Sequence, residues 1–384
     1  MDDTLKTLKF QQQKYRTLPI AVVAATWLIS ASSAGAVDIE SITLGNSNTV
    51  ETSATKNGVT YRGQSQAIVS FKDENNITWE LSGGTTTKLF LRRNPNTASG
   101  TVNGRLVVFG RQESLAPANP NIVLPPAPTT TGDVLNQNNI YSGTDNIFSN
   151  QGNNNGNNSN VERVDFIFNN NGSGLTATAD QGISVFERGF INQHDGFQIA
   201  AITSLTNPTT THPLGLPSGY GKLVTFGLGT WGNFDLTTGH NYTVLNNTKS
   251  STDGTLVTNP NTFRITDGGG VVNQTIGGVV LPLTDLVSAN TTIYGYSLFP
   301  IDVPANATSS TLVGSYSIAN TPESIGGLDL LAANLGVAEA VPVPFNFSPS
   351  LGLLLLGATW GTHSLWRRDR IKPITPVRGD RLLS

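Results

Sequence analysis

The chain has 384 residues, of which 26 are acidic and 23 basic, and only 13% carry a charge. There is no cysteine, which excludes disulfide staples and thiolate metal sites and leaves a long chain dependent on an extended apolar core. Residues 37–342 hold 13 basic and 22 acidic side chains, so the basic patch that phosphate contacts require is missing, which argues against nucleic acid as a partner.

At the N-terminus, Lys6, Lys9, Lys14 and Arg16 precede an apolar stretch over residues 18–29, and small residues then lead to Ala34-Gly35-Ala36. That order of charge, apolar run and A-x-A is the order of a secretory signal peptide, with cleavage after Ala36. The apolar run is short for a membrane span. Residues 1–36 are therefore read as a removed signal peptide and residues 37–340 as an exported ectodomain.

The ectodomain alternates apolar and polar residues with period two, the pattern of a strand with one buried face. Residues 77–81 alternate throughout, and residues 164–168 place Val164, Phe166 and Phe168 on one face. Further strands are expected over residues 67–71, 88–92, 106–109, 183–187, 197–202, 222–228, 242–245, 263–266 and 292–299. Turn residues separate them, as at Ser82-Gly83-Gly84 and Asp253-Gly254. Helical spacing before the C-terminal segment occurs in one place, residues 325–335, where Leu328, Leu331 and Leu335 share a helix face. Many short strands with frequent turns predict an all-β ectodomain, sandwich-like or barrel-like.

Residues 115–160 break the rhythm with Pro117, Pro120, Pro125, Pro126 and Pro128 and an Asn/Gly run over residues 151–160. This stretch reads as a Pro/Asn-rich loop or linker, although Ile140, Tyr141, Ile147 and Phe148 offer anchors by which part of it docks. The five strands expected before it are few for a separate domain, which favours one elaborated β unit.

The C-terminus, residues 341–370, reads VPVPFNFSPSLGLLLLGATWGTHSLWRRDR. Residues 350–366 are predicted as one transmembrane helix, stopped by Arg367, Arg368 and Arg370 at the head of a basic cytoplasmic tail, residues 367–384. At about 1.5 Å per residue against a hydrocarbon core of about 30 Å, the run spans when the helix takes in Pro349 and the arginines snorkel. Ser348 suits the N-cap, and Pro349 suits the first helical position, where no N–H is needed. The competing reading is a buried helix closing a globular fold. A core helix has no reason to end in a dense basic block, whereas a spanning helix is held by one.

Pro344, Phe345, Asn346, Phe347, Ser348 and Pro349, followed by a short apolar helix and an arginine cluster, resemble the PEP-CTERM sorting signal of proteins handled by exosortases. The motif is most similar to the cyanobacterial variant, whose usual form has Glu where this chain has Asn346. Within the ectodomain, Val185-Phe186-Glu187-Arg188-Gly189, and Gly295-Tyr296-Ser297-Leu298-Phe299 with Asp302, resemble segments of cyanobacterial exosortase-dependent surface proteins. The resemblance implies an exosortase-type sorting enzyme as partner, residence in the inner membrane before processing, and a final place at the cell surface or in the extracellular matrix.

Candidate chemistry inside the ectodomain is sparse, and no cofactor is expected. Gly295-Tyr296-Ser297-Leu298-Phe299 begins like a nucleophile elbow but lacks its second glycine and has no helix after it. Glu187, Arg188, His194 and Asp195 form the densest ionisable group, explained most simply as a strand-end ion pair and a turn. His212 and His240 are isolated and match no zinc spacing, which makes them surface or loop residues. Asp73-Glu74-Asn75-Asn76 offers hard oxygen ligands without a defined calcium loop. Trp79 and Trp231 are candidates for stacking on sugar rings if exposed, and core residues if not. The leading expectation is a non-enzymatic, structural or adhesive surface or matrix protein. The alternative is a carbohydrate-binding β module, or a secreted hydrolase, acting on extracellular polysaccharide.

Overall fold

The computed structural model describes residues 35–46, 48–56, 59–81, 87–93, 107–112, 121–124, 135, 138–140, 142–145, 147–148, 161–168, 173–189, 194–210, 212–232, 240–247, 263–265, 272–314, 327–333 and 335–342. Ala34, the motif from Pro344 to Pro349, the expected span over 350–366 and Arg367, Arg368 and Arg370 lie outside these residues; Ala36 lies in an exposed bend before the first strand. Among the described residues no helix is long and apolar enough to cross a membrane. The chain divides into two units, Met1–Val341 and Pro342–Ser384, and the strands of the described residues belong to the first.

In chain order the strands are β1 (Val37–Leu44), β2 (Asn48–Lys56), β3 (Val59–Ser65), β4 (Ile68–Asp73), β5 (Thr78–Leu81), β6 (Thr87–Arg93), β7 (Val107–Gln112) and β8 (Asn121–Leu124). There follow β9 (Ser142–Asp145), β10 (Val161–Phe168), β11 (Leu175–Thr176), β12 (Gln181–Gly189), β13 (Phe197–Leu205), β14 (Pro217–Tyr220) and β15 (Val224–Phe226). The last are β16 (His240–Asn247), β17 (Phe263–Ile265), β18 (Val272–Pro282), β19 (Thr292–Ile293), β20 (Gly295–Pro300), β21 (Leu330–Leu331) and β22 (Ala338–Ala340).

Strands β18, β1, β4, β5, β22 and β12 pair in that order, every pair antiparallel, and β12 returns to β18, closing a six-stranded barrel. Alternate residues point inward, with the alternation reset at register shifts between β1 and β4, so Val37, Ile39, Ile68, Phe71, Trp79, Phe186 and Val280 fill the interior. So narrow a barrel has no room for large residues at every position, and small ones must stand opposite them. Gly278 faces Phe186 across the β12–β18 ladder, and a Cβ there would lie 2.7 Å from the Phe186 ring and 3.0 Å from Ile39 Cδ1. The same β12–β18 pair enters a second closed circuit through β21, β9, β7 and β16.

A second sheet runs β14-β13-β20-β10-β6, with β15 also on β13. Its Val164, Phe166, Phe197, Ile199, Tyr296 and Leu298 pack against Ile183, Val185, Val279 and Leu281 on the outside of the barrel wall, forming the largest core cluster. The intervening residues Ile167, Ala200, Ile202 and Phe299 go to the opposite face, where Val303 and Leu312 of the segment after β20 cover them. Of the two expected forms the strands take the barrel-like one, a closed antiparallel barrel on whose outer wall the second sheet packs.

The period-two readings over 164–168, 183–187 and 197–202 fall inside β10, β12 and β13. The helical reading of 325–335 is corrected. Leu330 and Leu331 form β21 against β12, and Leu328 and Ala332 have φ of 53° and 44°, which no right-handed helix accommodates. Within 115–160 the chain supplies β8 and β9, and Ile140, Ile147 and Phe148 are fully buried, so the stretch contributes strands and core as well as connections. His240, expected at the surface or in a loop, opens strand β16 and pairs with Gln274.

Gly278→Val should cost about 1–3 kcal/mol of unfolding free energy, the usual penalty for overfilling a packed core. Denaturant melts of this variant, of Phe186→Leu and of the double variant check it: the double variant should cost less than the sum of the singles, because the smaller side chain vacates the space the valine takes.

Candidate functional site

Among the described residues, two clusters of buried charged side chains, one about Asp165 and one about Glu187, take in Ser297, Glu187, Arg188, His194 and Asp195, the residues considered for catalysis. The first lies on the outer face of the second sheet. Arg163 donates from Nε to Asp165 Oδ1 at 2.6 Å and from Nη2 to Oδ2 at 2.9 Å, a two-pronged ion pair between residues on the same strand face. Ser297, directly opposite Asp165 on β20, donates to Oδ1 at 2.6 Å. The Tyr220 hydroxyl lies 3.0 Å from Ser297 Oγ and donates weakly to Asp165 at 3.4 Å, and the Arg163 guanidinium sits 5.7 Å from the centre of the Tyr220 ring.

Arg92 stands opposite Arg163 across the β6–β10 ladder, a like-charge pairing that each arginine relieves separately. Arg92 approaches Glu162 at 3.6 Å, and burial raises the Glu162 carboxyl while Arg92 and Arg163 pull it back down. The two guanidiniums then donate to Val313 O and Leu312 O, both at 2.9 Å, capping the final carbonyls of the short helix Ser309–Val313. Ser309 at the other end accepts from Tyr220 N–H at 2.7 Å. Ser297 is therefore no elbow nucleophile. It is wholly buried, and its hydroxyl is committed to Asp165.

The second group surrounds β12. Glu187 and Arg188 do not pair, because neighbours on a strand point to opposite faces. Arg188 instead meets Asp329 at 2.6 Å, and Glu187 accepts the Asp195 N–H at 3.1 Å. All but Asp329 and Asp195 are nearly inaccessible, and the expected strand-end ion pair is corrected, Arg188 being paired to Asp329 and not to Glu187. Glu187 Oε2 is buried with no hydrogen-bond partner among the described residues. Burial, followed by the charges of Asp195 and Asp329, holds the Glu187 carboxyl well above the usual range. Burial likewise pushes His194 down to about 4, so its ring is neutral at pH 7. His194 O accepts from Gly229 N, and Trp231 Nε1 donates to Asp195 O at 2.8 Å.

The remaining candidates are structural. Asp73 Oδ1 accepts from Asn75 and Ile77 N–H, and Oδ2 accepts from Trp79 Nε1, each at 2.9 Å, so the would-be calcium turn is closed on itself. Trp79 is 3% and Trp231 4% exposed, which removes both as stacking platforms. Among the described residues no three His, Asp or Glu side chains are grouped to hold a metal ion. Sequence reasoning missed Arg163, Asp165 and Tyr220. The available signal was two charges spaced by two on an otherwise apolar face of β10; Tyr220, a strand and a turn away, gave none. No family model, curated protein or solved structure matches the chain.

Removing Asp165 strands a buried guanidinium, so Asp165→Ala should destabilise by about 3–5 kcal/mol. Ser297→Ala, which removes one donor and leaves the ion pair, should cost about 1–3 kcal/mol. Urea unfolding should rank them in that order.

The two titrating groups act with opposite sign. Glu187, raised on folding, favours the fold fully below its ordinary value near 4.5 and loses that contribution as pH rises toward its folded value. His194, lowered from 6.5 to about 4, contributes fully above 6.5 and loses its contribution as pH falls through 4, by about 3 kcal/mol at most. Glu187→Gln should flatten the fall of stability above pH 4.5, and His194→Gln the fall below pH 6.5, in melts followed across pH 3–9.

Proposed function

We propose that the chain is an exported, exosortase-sorted protein of the cell surface or extracellular matrix, with a structural or adhesive role and no catalytic one. The observation that carries this is the order of the C-terminal segment: the motif from Pro344 to Pro349, the apolar run over 350–366, then Arg367, Arg368 and Arg370. The segment over 1–36, ending in Ala34 and Ala36, directs the ectodomain out. The arginines hold the helix in the inner membrane, because each costs about 2.5–3.5 kcal/mol at a helix centre and several together multiply the barrier. An exosortase-type enzyme then acts on the motif and passes the ectodomain to the surface.

The ectodomain supports the reading in two ways. Its buried charged side chains are taken up in internal bonds that fasten strands to one another. Barrel strand β22 ends at Ala340, and Val341 N–H donates to Thr78 O at 2.7 Å, so the barrel strands are complete before the residues read as the motif begin. With Trp79 and Trp231 in the core, the carbohydrate-binding alternative has lost the indoles it would have used.

Fractionation of the protein in its own cells tests the proposal. Replacing Arg367, Arg368 and Arg370 by Ser should let uncleaved chain leak outward, whereas Pro344→Ala with Phe345→Ala should leave it inserted and unprocessed. Wild-type behaviour of both variants, with the C-terminal peptide retained on surface material, would replace sorting by a permanent anchor.

A further inference from the structure

Glu187 sits in the fold with half of its carboxyl unsatisfied. It is 1% exposed; Oε1 accepts the Asp195 N–H at 3.1 Å, while Oε2 is buried without a donor among the described residues. The acidic groups around it come from two elements, Asp195, with His194 next to it, in the segment after β12, and Asp329 in the segment before β21. Both carboxylates oppose a charge on Glu187. Arg188 points to the other face of β12, where it meets Asp329 at 2.6 Å. Strands β18 and β21, which flank Glu187 through Gly277 and Leu330, contain no ionisable side chain, and neither do residues 227–232. Tyr296 of the second sheet is neutral and donates to Ala333 O at 3.2 Å.

From Glu187 a line of contacts runs outward. His194 O accepts from Gly229 N–H at 2.9 Å, and Asp195 O from Trp231 Nε1 at 2.8 Å, so the turn over 227–232 is seated on residues 194–195. The Trp231 ring meets Phe197 edge-on, with centroids 4.9 Å apart, and Gly232 N–H donates to Asp38 at the start of β1 at 2.7 Å. These bonds are single, whereas β12 is held to β18 by an unbroken ladder from Gly182 to Gly189. Any yielding around Glu187 therefore falls on residues 194–195 and the turn they carry.

A neutral carboxyl tolerates such a place. A carboxylate there lacks a donor for one oxygen and faces two like charges, a state that entering water relieves. Asp195 is half-exposed, so water reaches the carboxyl from that side. We propose that Glu187 is a proton-controlled latch: protonated, it keeps residues 194–195 and the 227–232 turn closed on β12, and ionised, it releases them and uncovers the indole of Trp231 while the barrel stays intact. Closure is complete below the ordinary carboxyl value near 4.5, since burial raises Glu187 on folding, and is lost as pH rises toward its folded value. His194, lowered to about 4, strains the same segment on the acid side. Opening of this kind differs from loss of the whole fold, because it breaks a few bonds and leaves the core packed.

Hydrogen exchange of the full chain in detergent, read by mass spectrometry from pH 5 to pH 9 and corrected for the pH dependence of free-amide exchange, tests this. Protection over 194–196 and 229–232 should fall about tenfold or more across that range while 182–188 and 276–282 keep theirs, and Glu187→Gln should hold both segments protected throughout. Constant protection of the two segments in the wild type would overturn the proposal. So would an equal fall in Glu187→Gln, or a fall shared by 182–188 and 276–282, which is loss of the whole fold. Where Glu187→Gln does not fold, difference infrared spectra of the wild type decide. The band of a buried protonated carboxyl should vanish over the pH interval in which protection is lost; a band absent at pH 5, or persisting after the segments have opened, sinks the latch.

Discussion

The antiparallel pairing of β12 with β18 is the constraint on which the rest of the ectodomain depends. Eight consecutive residues of β12, Gly182 through Gly189, match Pro282 through Thr275 of β18 without a break. Both strands outrun their neighbours, so each serves two of them. β18 meets β1 at Val279 and Val280 and β16 at its other end, while β12 meets β22 at its start and β21 further along. Two closed circuits of strands therefore share one ribbon. Closure leaves fewer open edges for stray pairing, a benefit to any long chain built of strands. It also makes register unforgiving: a one-residue slip would turn Phe186 away from the gap above Gly278 and exchange the inward and outward sets of both strands.

With no cysteine to staple it, this ectodomain fastens its layers by polar ties under apolar cover. The pair of Arg163 and Asp165 reaches Ser297 on the next strand, Tyr220 beyond it and the helix that caps the face, so one ion pair ties four elements together. Such a tie adds little over well-packed apolar residues of the same shape, yet breaking it is costly, since the partner left behind keeps its charge in a dry setting. That asymmetry favours a single arrangement over near alternatives. It also separates these residues from a catalytic group, whose proton or nucleophile must be reachable by substrate.

Much of the fold is legible in local pattern. The alternation of Val164, Phe166 and Phe168 reports a strand because side chains on a pleated chain change sides at each residue, whatever lies across from them. The order of basic, apolar and small residues before Val37, and of motif, apolar run and arginines after Ala340, is likewise complete within a few dozen residues. The leucine spacing over 325–335 misled for the converse reason. Three leucines at helical intervals also suit an irregular buried segment, here one with positive φ at Leu328 and Ala332 on either side of β21.

The sequence by itself determined that the ectodomain is built of strands with one buried face and that its core must hold without disulfides, since both follow from composition and a period of two residues. Only the tertiary structure decided that the strands close into a barrel, that Trp79 and Trp231 are core residues, and that Arg188 pairs with Asp329 rather than with adjacent Glu187. Those outcomes depend on partners far along the chain, Asp329 lying 141 positions from Arg188 and Ser297 132 from Asp165. A strand's alternation states which residues face inward but not which strand lies beside it, and that neighbour sets the partner of every buried charge.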